Sequence, residues 1–340
     1  MDVARVISSL KNTEKVKIVV FGDYALDKYL YIDPENDEPS AETGLPAYQV
    51  HRKFLSAGVG GTITNNLRAL GAQVVCIGII GEDGEAWELL NCLRTVGADV
   101  THMVRSDSIC TCTYTKPMRK GMDGVYRELN RLDFRSICER PMEVQREMMR
   151  ELEIVLDWAD GVIITDQFYQ RNVSAVTDWL RSQLSELAAR RTDKIFFADS
   201  RSFADEYRSM MVKCNNIEFF NMLGEPDANV NDLDAIIEKG DTLYRRNGRP
   251  LYVTRGADGI VVFNGRTEIV PAFRVDGEID IVGAGDATNA GIVLGLALGL
   301  SEAEAALLAC CISSITIQQI GTTGTADVNR VAERLKTVLT

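Results

Sequence analysis

Short apolar runs recur along the chain and are separated by segments with a different hydrophobic pattern. The runs are Val16–Phe21, Val74–Ile80, Val162–Thr165, Ile195–Ala198 and Leu251–Thr254. Continuous apolar runs of this length are typical of strands that are buried on both faces of a sheet. We therefore predict one mostly parallel central sheet.

Helical spacing of apolar residues occupies the intervals between these runs. The predicted helices are Thr62–Leu70, Gly84–Val96, Met142–Trp158, Val173–Leu187, Ile236–Arg246, Ala284–Leu300, Glu302–Ile317 and Val328–Leu339. Asn264-Gly265 between two short apolar runs predicts a β-hairpin, and Ser301 with Glu304 predicts a capping box. The alternation of strands and helices predicts an α/β fold with helices on both faces of the sheet.

Two stretches, residues 30–57 and 108–132, interrupt this alternation with β-like patterns and no helical period. Because they have no place in the α/β rhythm, we expect them to form a small second sheet over the site. No linker composition and no internal repeat divides the chain. We therefore expect a single domain over residues 1–340.

Composition and charge narrow the classes of function. Hydrophobic residues make up 46% of the chain and charged residues 25%, which excludes disorder and low complexity. The net charge of −12 argues against nucleic acid as a partner. No apolar run approaches the roughly 20 residues of a membrane span, and the N-terminus has no signal-peptide core, so we expect a cytoplasmic protein.

Metal-binding and disulfide chemistry are not indicated by the sequence. Its eight cysteines contain no C-x-x-C pair, and it has only two histidines. A zinc site is therefore not expected, and most of the cysteines should be reduced core residues.

The segment Asp280–Asp286 (D-I-V-G-A-G-D) carries the clearest chemical signal. Its glycines let the backbone turn tightly at the start of a long apolar helix, whose first amides attract an anion. A carboxylate at Asp286 beside such a site suits phosphoryl transfer, which needs a phosphate cradle and a proton acceptor. The alternative is an ordinary helix start stabilised by the macrodipole. No G-x-x-x-x-G-K-[ST] sequence occurs, so a P-loop enzyme is excluded.

This segment resembles the D-T-x-G-A-G-D signature of the PfkB family of carbohydrate kinases, and the resemblance extends over residues 16–335. Within the family, the chain is most similar to the kinase domains of bacterial ADP-heptose synthases, which phosphorylate heptose 7-phosphate. Four further blocks carry that similarity: Val19–Tyr31, Ser40–Pro46, Gly78–Asp83 and Arg131–Asp133. The resemblance implies a ribokinase-like three-layer α/β/α sandwich with a small β-sheet lid at residues 30–57 and 108–132.

The resemblance also implies roles for residues around the transferred phosphate. Asp286 matches the catalytic base, and Gly283, Ala284 and Gly285 match the anion hole. The positions that match nucleotide-binding residues are Asn215, Glu218, Thr254, Arg255, Gly256, Gly259 and Cys310. Of these, Asn215 and Glu218 would also order Mg²⁺ through water, although they would otherwise be a strand-end turn and a surface charge. The implied cofactors are ATP, Mg²⁺ and K⁺.

The implied acceptor and cation positions are less well matched. Positions assigned to a sugar or sugar-phosphate acceptor are Asp27, Gly60, Gly61, Asn66, Arg131, Asp166 and Arg201. Positions on the monovalent-cation loop are Asp280, Gly321 and Thr325. Asp27 is the acidic residue expected at the end of the first strand, with a solvated loop carboxylate as the alternative. Arg131 and Arg201 are candidates for an acceptor phosphate, with surface salt bridges as the alternative.

Departures from the family pattern are concentrated on the acceptor side. Thr62 replaces a sugar-binding Asn, residues 165–170 lack the lysine and glycines of the heptose kinases, and Cys310 replaces an Asn near the adenine. An ATP-dependent sugar or sugar-phosphate kinase remains the main hypothesis. A nucleoside kinase of the same fold and a non-catalytic sugar- or nucleotide-binding regulatory protein are the alternatives. We also expect a homodimer formed through the lid.

Overall fold

A computed structural model of the protein describes residues 1–337. Its strands, β1 to β16, are Lys17–Gly22, Tyr24–Ile32, Glu38–Pro39, Pro46–Ala47, Val50–Val59, Gln73–Ile80, Val104–Arg105, Thr113–Lys120, Tyr126–Glu128, Leu132–Phe134, Gly161–Asp166, Ile195–Ser200, Met211–Asn215, Leu251–Thr254, Ile260–Phe263 and Thr267–Val270. Its helices, α1 to α10, are Val3–Ser9, Gly60–Ala69, Gly84–Thr95, Met142–Leu156, Asp178–Arg190, Asn216–Met222, Leu233–Asn247, Ala284–Ala297, Glu302–Thr316 and Val328–Lys336.

Nine strands form the main sheet in the order β16-β15-β14-β13-β12-β11-β1-β6-β7. Every pair from β13–β14 through β6–β7 is parallel, while β15 and β16 are antiparallel additions at one edge. In β1, Ile18 and Val20 pack into one apolar cluster, whereas Val19 and Phe21 pack into another on the opposite face. This continuous burial produces the three layers of an α/β/α sandwich, as the apolar runs predicted.

A second sheet has the order β10-β8-β2-β5, with β9 paired to β8. It begins at the carboxyl end of β1, because β2 starts only two residues after that strand ends. One face packs toward α3: Leu26 and Ala57 are buried there, and Lys28 forms ion pairs with Glu85 and Glu88. The two stretches predicted to be β-rich thus contribute strands to one sheet, which begins beside the carboxyl edge of the main sheet.

The local signals and most of the element positions are confirmed. β15 and β16 flank Asn264-Gly265 as predicted, and the capping box of Ser301 and Glu304 is present. The predicted helix Val173–Leu187 starts too early: α5 begins at Asp178, because the Thr177 side chain caps the Leu180 amide. The last predicted helix extends to Leu339, which lies outside the described residues.

The sequence pattern also missed elements. Strand β13, helix α6 and the N-terminal helix α1 were not predicted. Four cysteines are buried (Cys76, Cys214, Cys310 and Cys311), so only half of the eight are core residues. Within residues 1–337, no helix combines the length and apolar character needed to cross a membrane.

Candidate active site

The candidate site lies where parallel strands of the main sheet end. Carboxyl ends of parallel strands meet along one edge, and polar residues at that edge converge. Here Asp23 follows β1, Asp166 ends β11, Asp199 is the penultimate residue of β12, and Asn215 ends β13. The N-terminus of α8 faces this edge, since the charges of Asp199 and of other site residues act on Asp286 in its first turn.

The glycine loop enters α8 through a conformation that favours glycine. Gly283 has φ +82°, and a Cβ there would lie 3.2 Å from the Cγ2 atoms of Thr62 and Thr323. Ala284 donates its amide to the Ile281 carbonyl at 3.1 Å, so this amide closes the turn. The amides of Gly285 and Asp286 have no backbone acceptor in residues 1–337. The Gly283 amide also has no acceptor in this part of the chain, so the predicted anion hole keeps three free amides, whereas that of Ala284, another predicted member, closes the turn.

Asp286 is a half-buried carboxylate that accepts no hydrogen bond from the described residues. Burial and the charge of Asp199 raise its pKa to about 7, against the opposing effect of Lys213 and Arg201. A carboxylate with a pKa near neutrality and no internal partner is well suited to accept a proton.

A buried cation lies beside the glycine loop. The Lys213 Nζ is 3.3 Å from both Asp199 carboxylate oxygens, and it is 3.3 Å from the point where a Cβ on Gly285 would lie. Burial opposes its charge, but Asp199, Glu218 and Asp286 outweigh that effect and raise the pKa of Lys213. The ammonium group is therefore charged, and it lies next to the free amides of α8.

Asn289 completes this group. Its Nδ2 donates to Asp199 at 2.6 Å, while its own carbonyl oxygen is buried and has no partner among residues 1–337. The sequence analysis did not select Lys213, Asp199 or Asn289 as site residues. A lysine inside the apolar strand Met211–Asn215 was the available signal, because a buried lysine requires a charged partner.

Asn215 and Glu218 form a capping box at the start of α6. The Asn215 side chain accepts the Glu218 amide at 2.8 Å, and one Glu218 oxygen accepts the Asn215 amide at 2.8 Å. The second Glu218 oxygen is not used in the capping box, and burial raises the pKa of this carboxyl although Lys213 opposes the effect. A cation near Glu218 would relieve that burial cost, so the residues fit a magnesium ion held largely through water.

The predicted nucleotide residues after β14 form a tight turn. Thr254 donates to the Cys214 carbonyl at 3.4 Å, and Arg255 pairs with Asp258 at 3.3 Å. Gly259 has φ +86°, and a Cβ there would lie 2.0 Å from the Val270 carbonyl oxygen.

Two further residues predicted to bind the nucleotide take no part in the ion pair between Arg255 and Asp258. Gly256 begins a short 3₁₀ turn with φ +56°. Cys310 lies on α9, and burial raises its pKa to about 12, so its thiol is neutral and offers an apolar surface. The Cys310 thiol makes no hydrogen bond with residues 1–337.

Asp27 faces the site from the second sheet, which differs from its predicted place. It lies within β2, whereas Asp23 occupies the end of β1. Lys116 of β8 forms an ion pair with the Asp27 carboxylate at 2.7 Å, and the negative charge of Asp27 raises the pKa of Asp286. A Cβ on Gly58 would lie 2.5 Å from Asp27 Oδ2, so the glycine leaves room for the carboxylate.

Arg201 also faces the catalytic carboxylate. Its charge lowers the pKa of Asp286 and of Glu218, and its guanidinium lies 5.5 Å from the centre of the Tyr169 ring. It has no ion pair with the described residues, so the surface salt bridge considered for it is absent there. Its charge is available to an anionic group.

Three predicted acceptor residues are not brought to the site. Asp166 is fully buried and is bound by Ser200, Tyr207 and Arg181 at 2.9, 3.0 and 3.2 Å. Its role here is to anchor the chain. Asn66 is fully buried in α2, where its Nδ2 donates to the backbone of its own helix.

Arg131 is exposed, and Asp133 holds it in a bidentate pair at 2.6 and 2.7 Å. The alternative of a surface salt bridge is therefore the one observed.

The glycines at the start of α2 have a packing role. The Gly60 amide donates to the Asp23 carbonyl at 3.0 Å, and a Cβ there would lie 2.8 Å from that oxygen. A Cβ on Gly61 would lie 2.4 Å from the Ala57 Cβ. Both glycines therefore allow α2 to approach the second sheet closely.

The predicted cation loop is partly assembled. Asp280 accepts the amides of Val282 and Gly321, both at 3.0 Å, and so connects the two loops. Thr325 is held instead by Gln319, which exchanges two hydrogen bonds with its backbone. Asp280 and Gly321 are thus adjacent, and the Thr325 backbone is engaged elsewhere.

Sequence comparison relates this chain to a family of carbohydrate kinases. The family model described as pfkB family carbohydrate kinase matches residues 156–329. The bifunctional protein HldE of Trichlorobacter lovleyi is 28% identical over 335 residues, which cover 98% of this chain and 65% of the relative. HldE of Alkalilimnicola ehrlichii is 29% identical over 313 residues, covering 91% and 61%. The chain therefore spans less than two thirds of the length of these relatives.

Solved structures share the fold. Arabidopsis thaliana ribokinase complexed with ribose and ATP has a TM-score of 0.68 at 17% identity, with 94% of this chain and 98% of that chain covered. Phosphofructokinase-2 from Escherichia coli in complex with potassium has a TM-score of 0.70 at 14% identity, covering 96% and 99%. Both likenesses establish a ribokinase-like α/β fold for this chain.

Proposed function

The chain belongs to the pfkB family of carbohydrate kinases, phosphotransferases with an alcohol group as acceptor, and we propose that it transfers the γ-phosphate of ATP to a hydroxyl group of a sugar or sugar phosphate. One observation carries this proposal. Asp286 is an unpartnered carboxylate with a pKa of about 7, raised by burial and by Asp199, and it lies beside the free amides of α8 and the Lys213 ammonium. A proton acceptor and an anion cradle thus occupy one place.

In the proposed mechanism, Asp286 takes the proton from the acceptor hydroxyl. The hydroxyl oxygen forms a bond to the γ-phosphorus, and the bond between that phosphorus and the bridging oxygen of ADP breaks. The amides of Gly285 and Asp286, with Lys213, stabilise the negative charge of the group in transfer. Lys213 keeps its place because it donates to the Asp199 carboxylate, which Asn289 in turn fixes by donating to it.

Residues for the cofactors are present in this arrangement. Glu218 and Asn215 would hold Mg²⁺ through water, and the ion would neutralise charge on the ATP phosphates. The turn from Thr254 to Gly259 and the neutral Cys310 thiol would contact the nucleotide. For K⁺, the proposed site is the loop around Asp280 and Gly321, with Thr325 as a further predicted contact.

The acceptor would lie between Asp286 and the second sheet. Asp27 would bind sugar hydroxyls, because its carboxylate faces the site and is fixed by Lys116. Arg201 would bind a phosphate, either on the acceptor or in transfer, because its charge has no partner in residues 1–337. Heptose 7-phosphate is the first acceptor to test, since the sequence blocks resemble the heptose kinases.

The second sheet would serve as the lid of a single kinase domain. This sheet exposes large apolar side chains: Phe54 at 45% on the face away from α3, and Leu132 at 58% and Phe134 at 50% on the opposite face. Exposed apolar surface on an open sheet favours pairing with another sheet. We propose that two copies of the chain pair through this surface and that closure of the lid excludes water from transfer.

The test is ATP turnover by the purified protein with Mg²⁺ and K⁺. The acceptor panel contains heptose 7-phosphate, hexose phosphates, free sugars and nucleosides. Asp286→Asn should abolish acceptor-dependent ADP release, while Asp276→Asn, a matched change at an exposed carboxylate, should leave it intact. Turnover of nucleosides alone would identify the nucleoside kinase. ATP binding without turnover of any acceptor would support the non-catalytic alternative, for which the altered acceptor motifs argue.

A further inference from the structure

A small cavity lies at the base of the second sheet, where the chain enters β8 and leaves β10. Its lining includes Asp23, Cys112, Arg135, Arg140 and Phe168. Asp23 and Phe168 follow β1 and β11 at the carboxyl edge of the main sheet, but no residue of the loop Asp280–Asp286 lines the cavity. The cavity therefore differs from the anion hole, and the mechanism above does not use it.

Two guanidinium groups in this cavity have no anionic partner. Arg135 is half-buried and makes no ion pair or side-chain hydrogen bond within residues 1–337; its only contact of this kind is the Phe168 ring at 5.3 Å. Arg140 is also half-buried, and its one side-chain bond is a long one of 3.4 Å to the Cys138 carbonyl. Burial lowers the pKa of Arg140, although the charge of Asp23 opposes this. A bound anion would offset the partial desolvation of these two guanidinium groups.

The carboxyl group in the cavity does not supply that anion. Asp23 has no ion pair with Arg140, and its two oxygens accept the amides of Ala175 and Gln167 at 2.7 and 2.8 Å. Burial and the charge of Asp166 raise the pKa of Asp23 to about 7, so its negative charge is partial near neutrality. The Cys112 thiol is neutral, because burial raises its pKa to about 12. The net character of the cavity is positive.

The cavity lies at the end of the strand face that carries Asp27. Tyr114 pairs with Asp27 in the parallel register of β8 and β2, so their side chains share a face. Cys112 lies two residues before Tyr114 and shares that face, at roughly 7 Å along the strand. A sugar whose hydroxyl groups contact Asp27 can therefore extend a terminal group toward the cavity.

We propose that Arg135 and Arg140 form a subsite for the phosphate group of a phosphorylated acceptor sugar. This inference rests on the proposed kinase function and narrows it to sugar phosphates, as opposed to free sugars and nucleosides. Guanidinium groups bind phosphate oxygens through paired, charge-assisted hydrogen bonds. The sequence analysis gave the binding of an acceptor phosphate to Arg131 among others, but the Arg131 guanidinium is already paired with Asp133.

Kinetics of Arg135→Gln and Arg140→Gln test this subsite, with Arg146→Gln at an exposed position of α4 as the matched control. For phosphorylated acceptors, KM should rise at least tenfold in both variants while kcat stays within twofold. For an unphosphorylated sugar that is turned over, and for ATP, KM should not change. The melting temperature should not fall, because each variant removes an unpaired charge. Equal KM values in the variants and the control would overturn the subsite and leave the kinase proposal intact.

A second measurement does not depend on turnover. Crystals grown without phosphate are soaked in tungstate, a tetrahedral oxyanion that scatters anomalously. A peak between Arg135 and Arg140 that is lost in Arg140→Gln supports the subsite, even where no acceptor is turned over. A peak at Gly285 alone, with none between the arginines, would overturn it.

Discussion

The ionised carboxylate of Asp286 should destabilise the folded protein, although the proposed reaction requires it. Its carboxylate is half-buried with no hydrogen-bond donor, and burial together with Asp199 raises its pKa from 3.8 to about 7. We expect Asp286→Asn to abolish kinase activity and to raise the free energy of unfolding above pH 7. The amide has the same shape and carries no charge, so it avoids the cost of an ionised group at this position.

The size of the gain follows from the shift in pKa. A difference of about three units between folded and unfolded states corresponds to roughly 4 kcal/mol, and partial contact with solvent reduces this to about 2–3 kcal/mol. Below pH 3.8 both states carry the proton and the group costs nothing. As the pH rises through 7, the unfolded state has already released its proton, so the cost to the folded state reaches its full value.

Urea unfolding of wild type and Asp286→Asn between pH 5 and 8.5 measures this effect. The variant's advantage should grow with pH and level off above about pH 8, where the cost of ionising Asp286 is complete. In parallel, wild-type kcat should rise with pH through about 7, as the base loses its proton. A stability difference that is flat across this range would show that Asp286 has an ordinary pKa, and the argument for its role as a tuned base would fail.

Further predictions concern the cation, the acceptor pocket and the second sheet. Lys213→Met should lower kcat at least a hundredfold and destabilise the fold by about 3–5 kcal/mol, because it leaves a buried carboxylate unpaired; turnover and urea unfolding check both effects. Gly58→Ala should displace Asp27 and raise the acceptor KM about tenfold without changing the KM for ATP, whereas Gly84→Ala, where a Cβ meets no neighbour, should change neither. Phe54→Lys should shift the protein to monomer in sedimentation equilibrium, and a wild type that is itself monomeric would contradict the proposed pairing.

The sequence predicted the elements whose signals are local. Buried parallel strands appear as uninterrupted apolar runs, and the hairpin at Asn264-Gly265 depends on two residues alone. Helix α6 was missed because its seven residues are too few to show a period. The predicted start of α5 was wrong because Val173 and Val176 continue the apolar pattern, whereas the N-cap at Thr177 sets the actual start of the helix.

The site was predicted where one segment contains the chemistry, and it was missed where tertiary contacts create it. The glycine loop places its amides and Asp286 within four residues, so a single motif reveals them. Lys213 and Asn289 act through Asp199, and the three are distant in sequence. No spacing rule connects them. Their association follows from the parallel neighbours β12 and β13 and from the position of α8.

The carboxylates at the edge of the main sheet show how structure separates two uses of one residue type. Asp166 is bound by a serine, a tyrosine and an arginine, so its carboxylate is already engaged within the fold and holds the surrounding chain in place. Asp286, at the same edge, has no donor in the part of the chain that the structure describes, and its charge is therefore available to a proton or a ligand. The resemblance assigned both positions to the site, Asp286 through an intact motif and Asp166 through an altered one. The number of internal partners decides between them, and the same criterion selects Arg135 and Arg140 over Arg131, because a group already satisfied within the fold has little left to offer a substrate.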